Sequence, residues 1–519
     1  MTRQYNNYED MITFTRASTG TALRPVTYGD ELVTNGTFDT DLTGWTLSGG
    51  SATVTDGEAV VSYDGGNGGL YQIITVEVGK LYEIKGSLTA ATSSGPRLKV
   101  GTTTFGTEVT QLTTVGDINE EFIATTTIIS IFVQAITDGS TTVDNISVKE
   151  VTFDQPDGTL TLFNHPNNVP RIEYDADGNW KGLLIEESRT NLLTYSNDFS
   201  GQWTLTDVVD TANSIASPDG TSNVFYAVAN STSSNFHRFT SSCSIAQSTT
   251  YTFSAYLKAG GYTLGGLSFY DGVAYQARTL FDLSDGTINS TVEGSATIED
   301  VGNGWYRCSI TGTTDAAASA SGTVYISVNS LYGYTGDDAS GIYSYGAQLE
   351  AGAFPTSYIP TSGSTATRQK DVASMPVSDF GYNVTEGTLL VEYTSFHTYT
   401  GTPYPRVLNL YESVSPRAGV EILDFNAVTN PAIYDGGAAQ ASFTFANNLG
   451  KYALAFAEND VAGCGGGGSV STDTSCTLPI PTTLYIGMYS SSSQLNGHIK
   501  SIQYYPRRLS NAQLQALTS

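Results

Sequence analysis

The chain is short of charge, of cysteine, of helical rhythm and of long apolar runs, and each shortage removes a class of protein. Asp, Glu, Lys and Arg make up only 14% of its 519 residues. No apolar stretch approaches the ~20 residues a helix needs to cross a bilayer, so membrane insertion is not expected. The opening Met1-Thr-Arg-Gln-Tyr-Asn-Asn-Tyr-Glu-Asp10 has no apolar core, which argues against a secretory signal and for synthesis that stays in the cytoplasm of the producing cell. The 23 basic residues are outnumbered by 50 acidic ones, and the net charge of −27 is spread along the chain. A field of that sign repels phosphate backbones and no basic cluster interrupts it, so nucleic acid is not an expected partner. There is no phosphate-cradling Gly-Lys-Ser/Thr loop and no zinc-protease helix. His165, His237, His397 and His498 stand at no metal-ligand spacing. The adjacent acids Glu120-Glu121, Glu186-Glu187 and Asp337-Asp338 would project to opposite faces of a strand, and a glycosidase pair must instead converge from separate elements. A non-enzymatic protein is expected.

Four cysteines are too few for a disulfide scaffold and fit no zinc motif. Cys464 and Cys476 bracket a Gly-rich loop that a bridge would staple by about 3 kcal/mol; Cys243 with Cys308 is the other candidate pair.

What remains is Gly, Ser, Thr, Tyr and β-branched residues in short alternating runs between turn signals, the composition of pleated strands. At this length the strands should divide among roughly three or four domains. In Tyr82-Glu-Ile-Lys-Gly-Ser-Leu88, Tyr82, Ile84 and Leu88 share one face while Glu83, Lys85 and Ser87 share the other, which is a half-buried strand. The pattern then recurs. Asn197-Asp-Phe-Ser-Gly-Gln-Trp203 echoes the stretch from Asn35 to Trp45, and Thr250-Tyr-Thr-Phe-Ser-Ala-Tyr-Leu-Lys-Ala-Gly260 aligns without gaps on Leu81–Ala91. Tyr345-Gly-Ala-Gln-Leu-Glu350 falls in the slot of Asp144-Asn-Ile-Ser-Val148. A Trp opening, an alternating strand and a closing strand in the same order point to two copies of one β-sandwich. A third, different strand-rich block follows, ended by a helix. Ser510 is placed to cap it, Gln513 completes a capping box, and Leu509 and Leu514 can form the staple.

Several segments resemble phage virion proteins: Phe14-Thr-Arg-Ala-Ser-Thr19, Pro170-Arg-Ile-Glu-Tyr-Asp175, Gly182-Leu-Leu-Ile-Glu-Glu-Ser-Arg-Thr-Asn-Leu-Leu193, and Gly346-Ala-Gln-Leu-Glu350 with Phe354-Pro-Thr-Ser-Tyr-Ile-Pro-Thr361. In such proteins the first pieces are nearer neighbours, so residues 31–150 read as an insertion. That insertion resembles galactose-binding-like carbohydrate-binding jelly rolls. The last block, through Leu495-Asn-Gly-His-Ile-Lys-Ser-Ile-Gln-Tyr-Tyr505, resembles concanavalin A-like or laminin-G-like sandwiches.

The expected fold is therefore all-β: tandem β-sandwich domains, two galactose-binding-like jelly rolls plus one concanavalin A-like, with one short C-terminal helix. The expected boundaries are an N-terminal segment 1–29, the inserted jelly roll 30–150, a connector 151–190 packing with the N-terminal segment, a second jelly roll 191–362 and the last sandwich 363–519. The resemblance implies an adhesin on the virion exterior, tail- or fibre-associated, binding host-surface polysaccharide or lipopolysaccharide and neighbouring virion proteins. A homotrimer would suit a fibre, although no coiled-coil heptads enforce one. The alternatives are a structural or adaptor subunit and a polysaccharide depolymerase.

Trp45, Trp203 and Trp305 are assigned to core packing. Aromatics out of phase with the core, or flanking Gly-rich loops, are the candidate sugar contacts: Tyr63, Tyr71, Tyr256, Phe269, Tyr270 and Tyr275. Each ring can offer its face to a pyranose, and the alternative for each is a subunit contact. Calcium is the expected metal. Asp39 and Asp144 would supply carboxylates, as in the jelly rolls the block resembles, the alternative being solvated turn aspartates.

Overall fold

Period-two alternation becomes antiparallel strand almost everywhere in the computed structural model. It describes residues 12–519 apart from 66–67, 156, 222–223, 233–234, 398–403, 415–416, 426–427, 447–448 and 491–492; the opening Met1–Asp10 stretch lies outside the described residues. The chain divides into two compact units, residues 25–159 and residues 1–24 with 160–519.

The first unit is a β-sandwich. One sheet has five strands in the order Thr46–Gly49, Gly68–Thr75, Ile128–Ile136, Gly95–Gly101 and Thr110–Leu112. The opposite sheet centres on Leu81–Ala91, which pairs with Gly116–Ile123 on one side and Ser140–Phe153 on the other. Tyr82, Ile84 and Leu88 meet Leu70, Leu98, Val100, Ile131 and Val133 between the sheets, as their shared phase requires.

The second unit contains the other copy. Strand Thr250–Gly260 pairs with Tyr306–Thr313 and Gly341–Ala351 as Leu81–Ala91 pairs with its own neighbours. The duplication extends to irregularities. Both copies carry a bulge at one register point, between Asp144 and Ser147 in the first and between Tyr345 and Gln348 in the second, and each bulge contains a residue at positive φ, Asn145 (54°) and Gly346 (62°). Ile146 N–H donates to Gly36 O and Ala347 N–H to Ser196 O, both at about the same place in the fold. Tyr82 and Tyr251 each accept from the backbone N–H five residues earlier. Trp45 and Trp203 pack on Phe38 and Phe199 with ring centroids 5.1 and 5.0 Å apart, and both indole N–H groups donate to backbone carbonyls.

The last sandwich is completed from far away in the chain. Thr13–Thr15 pairs with Val372–Pro376 at the edge of one sheet, and Ile172–Tyr174 and Trp180–Ile185 extend the other through Gly497–Tyr505. Asn511–Thr518 is the capped helix read from the sequence: Ser510 Oγ accepts from Gln513 N–H, the Gln513 side chain returns to Ser510 N–H, and Leu509 and Leu514 are buried together. It is not the only helix; Phe199–Gln202 makes one turn after Asp198, and Val377–Phe380 is a 3-10 turn.

The segments that carry the virion resemblance converge on one buried ionic hub in the second unit. Asp371 receives Arg16 at 3.2 Å and Arg171 at 2.5 Å, while Glu186 receives Arg171 at 2.7 Å and Arg368 at 3.5 Å, every one of these side chains being 0–1% exposed. Glu186 also accepts from Ser357 N–H and Oγ. Arg16 donates to the carbonyls of Ser18, Val169, His165 and Pro166. Burial, then the charges of Arg24, Arg16 and Arg171, push the His165 pKa well below the usual imidazole range and keep the ring neutral.

The cysteines correct the expectation of bridges: all four are free and buried. Cys464 lies under the C-terminal helix while Cys476 lies in the core between the sheets, so one sheet separates them. Cys243 and Cys308 come from facing sheets and share one core, where each thiol is free. Burial raises the Cys243 thiol to about 12 and Cys476 to about 11. In a native thiol titration with an aromatic disulfide reagent, none of the four is expected to react until the chain is denatured; a thiol reacting at once would refute this burial.

Candidate functional site

Residues directly opposite one another across a sheet share a face. In the five-stranded sheet of the first unit, Thr46, Tyr71, Phe132, Lys99 and Gln111 stand opposite one another in that order. Their neighbours in sequence Leu70, Val133, Leu98 and Val100 point into the core, so this row faces outward. Phe105, in the loop after Gly95–Gly101, closes over it: its ring lies 5.1 Å from Tyr71 and 4.2 Å from Phe132, and its N–H donates to Ser130 Oγ. Phe105 has φ of 68° and is 39% exposed. A bulky residue held in the left-handed region with its ring in solvent is strain of the kind that marks working surfaces. Lys99 Nζ lies 5.4 Å from the Phe132 centroid, and burial, then the charge of Arg97, lowers its pKa.

The second copy presents the same face. Thr204, Thr240, Tyr325, Ser268 and Arg278 form the matching row, with Tyr325 at the position of Phe132. Tyr275 lies 5.8 Å from Tyr325 and 5.3 Å from Tyr270. The Arg238 guanidinium sits between Phe236 (4.5 Å) and Tyr325 (4.6 Å), and that of Arg278 lies against Tyr275 (4.4 Å) and Tyr332 (5.2 Å). The result is a strip in which rings and guanidinium groups alternate.

Of the aromatics singled out from sequence, Tyr71, Tyr270 and Tyr275 lie on these faces. Tyr63 is a partly exposed loop residue whose N–H donates to Gly139 O, away from the row. Two are corrected. Phe269 is 1% exposed because it shares the phase of Leu267, which points into the core. Tyr256 does face away from Tyr251, Phe253 and Leu257, but it is 2% exposed: Trp305, Tyr345, Tyr358, Leu162 and Val224 form a second apolar layer over that side of the sheet. Phe105, Phe132, Lys99, Tyr325, Arg238 and Arg278 escaped the sequence reading. Both central rings were findable: Tyr325 alternates with Val324 and Ile326, and Phe132 lies between Ser130 and Gln134 on the face opposite Ile131 and Val133.

Asp39 and Asp144 are near enough to interact. Burial, then the charges of Glu58 and Asp39, raises the Asp144 pKa, and Asp144 Oδ1 is enclosed without a hydrogen-bond partner. The register puts Tyr345 in the place of Asp144 in the second copy, its hydroxyl donating to Asp219 at 2.6 Å. Among the described residues no group of three or more His, Cys, Asp or Glu side chains is placed to hold a metal.

One cavity of about 270 Å³ in the second unit is lined by Glu173, Lys181, Glu299, Arg307 and Phe354. His498 Nε2 is 2.5 Å from Glu173, and Lys181 bridges Glu173 at 3.5 Å and Glu299 at 2.9 Å. Burial alone would raise the Glu173 pKa; Lys181 and His498 outweigh it and bring the carboxyl down to about 2. That is the opposite of the raised carboxyl that protonates a glycosidic oxygen.

No family model and no curated protein matches the chain. Among solved structures, a tandem of two CBM22 domains from Paenibacillus barcinonensis Xyn10C aligns over 65% of this chain and 100% of that one, with 14% identity and a TM-score of 0.21. Trypanosoma rangeli sialidase in complex with the inhibitor DANA aligns over 97% of this chain and 98% of that one, with 11% identity and a TM-score of 0.24. Likenesses this weak carry no weight for ligand or activity.

Proposed function

We propose that this chain is a glycan-binding protein whose two related sandwiches hold saccharide on their outward sheet faces, and that it works without cleaving what it binds. The observation that carries the reading is the repeated row: an aromatic ring at one central position, Tyr325 in one copy and in the other Phe132, which is 5% exposed and supports the exposed Phe105 ring above it, flanked on its own sheet by further rings, cations and hydroxyl or amide side chains. Rings pack against the C–H face of a pyranose, and the polar groups along the row select hydroxyl positions. Strand-borne side chains hold their spacing, so the surface is pre-organised and loses little entropy on binding. The virion exterior is the setting proposed from the segments of phage-protein resemblance, with host-surface polysaccharide as ligand. Calcium is proposed at Asp39 and Asp144, where it would relieve the mutual repulsion of the acids and recruit backbone carbonyls.

Binding of the full chain to a panel of neutral and acidic polysaccharides, followed by affinity electrophoresis, tests the reading. Tyr71→Ala combined with Tyr325→Ala is expected to weaken binding at least ~10-fold, about 1.4 kcal/mol, while Tyr63→Ala leaves it unchanged. Retention of full affinity in the double variant, or silence of the wild type across the panel, would reject it.

A further inference from the structure

The cations on the two faces are arranged for a charged ligand. The chain carries more than twice as many acids as bases, and several of its other lysines and arginines find carboxylates, Lys80 with Glu77 and Glu150, Lys85 with Glu83, Arg417 with Glu421 and Arg508 with Asp460, while Lys258 and Arg307 end on backbone carbonyls. Arg97, Lys99, Arg238 and Arg278 have no carboxylate within ion-pair distance among the described residues, yet all four belong to the outward faces. Arg97 and Lys99 are two residues apart on one strand, on the same side, where they repel each other. Glu293 stands opposite Arg278 on the next strand without pairing with it, and no carboxylate faces Arg238, Arg97 or Lys99 in the register, so in a protein of net charge −27 these cations oppose the general field only locally.

The geometry in the second copy is the more specific. Rings flank the guanidinium of Arg238 on Phe236 and Tyr325, and that of Arg278 on Tyr275 and Tyr332. The Nε atoms of both arginines are enclosed without a hydrogen-bond partner, and Arg278 commits one Nη to Leu331 O. What a ligand meets is therefore the Nη edge of a guanidinium held flat by its rings, the arrangement suited to a carboxylate. A neutral sugar offers them only hydroxyl acceptors, which return less than a carboxylate does for the desolvation of two guanidinium groups.

We infer that the two faces select acidic polysaccharide, with sugar rings lying on Tyr325 and Tyr275 in one copy and on Tyr71 and Phe105 in the other, and their carboxylates meeting Arg238 and Arg278 in the first case and Arg97 and Lys99 in the second. The inference rests on the glycan-binding reading and narrows its ligand class.

The test uses the full chain with polygalacturonate, hyaluronan and polysialic acid, each beside its own carboxyl-reduced form, and with neutral glucans and galactans. Expected is binding to at least one acidic polymer, at least ~10-fold weaker for its reduced form and weakened by added salt. Arg238→Gln with Arg278→Gln should lose at least ~10-fold for the acidic polymer without lowering the unfolding temperature, and Arg97→Gln with Lys99→Gln should do so independently. Equal affinity for acidic and reduced forms, or binding to neutral polymers only, overturns acid selection and leaves glycan binding standing. Binding to none of the polymers ends both.

Discussion

Replacing Asp371 by Asn is expected to cost the larger unit about 3–5 kcal/mol, the usual consequence of removing one partner from a fully buried ion network. Asp371 lies at 0% exposure between Arg16 and Arg171, and also accepts the backbone N–H of Glu186. Asparagine has nearly the same shape but removes the carboxylate that Arg16 pairs with and leaves Arg171 to share Glu186 with Arg368. In thermal unfolding this should appear as a midpoint lowered by about 4–6 °C for this unit, with the unit of residues 25–159 unaffected. Converting Arg16 and Arg171 to Met together with Asp371→Leu should recover part of the loss, because removing whole charges costs less than orphaning them. A midpoint within 1 °C of wild type for Asp371→Asn, a band of about 0.8 kcal/mol or less, would refute a stabilising role of this size for the hub.

The second large effect concerns pH and the smaller unit. Glu121 stands directly opposite Glu83 on adjacent antiparallel strands. Lys85 neutralises Glu83 at 2.8 Å, and burial first, then the charges of Glu83 and Glu120, raises Glu121 to about 8. A carboxyl that holds its proton more tightly folded than unfolded favours the folded state at low pH. Between the unfolded value near 4.5 and about 8 the native chain binds the extra proton, so stability falls as pH rises through that window and levels off above it. Glu121→Gln keeps the hydrogen-bonding shape without the ionisation. At pH 4 it should match wild type; at pH 8 it should be more stable by about 1–3 kcal/mol. Denaturant titrations at the two pH values check this, and a variant that is no more stable at pH 8 than at pH 4, relative to wild type, contradicts the assignment.

Much of the architecture was written locally. Alternation along Leu81–Ala91 and Thr250–Gly260 dictates strands, their ungapped alignment dictates duplicate sandwiches, and Ser510 with Gln513 dictates a capped helix. These properties depend on neighbours within a few residues, or on a comparison of the chain with itself. The tryptophans were placed in the core on the same grounds. The candidate site was only half legible. Tyr71, Tyr270 and Tyr275 were found because they lie out of phase with the core or beside turns, and Tyr256 was misread by the same logic.

Tertiary structure alone decided the rest, for one physical reason. Alternation says which of two faces a side chain takes, but whether that face meets water depends on a layer drawn from distant sequence. Tyr256 is covered by Leu162, Trp305 and Tyr358, whereas Tyr325, equally out of phase, is not. In the same way Arg16, Arg171 and Glu186 lie in segments that stand out in the sequence, yet only folding joins them with Arg368 and Asp371, residues up to 355 positions apart, in one ion network. The sequence by itself determined strands, copies and caps; the packing of one copy against the rest of the chain determined which rings and cations remain on the surface.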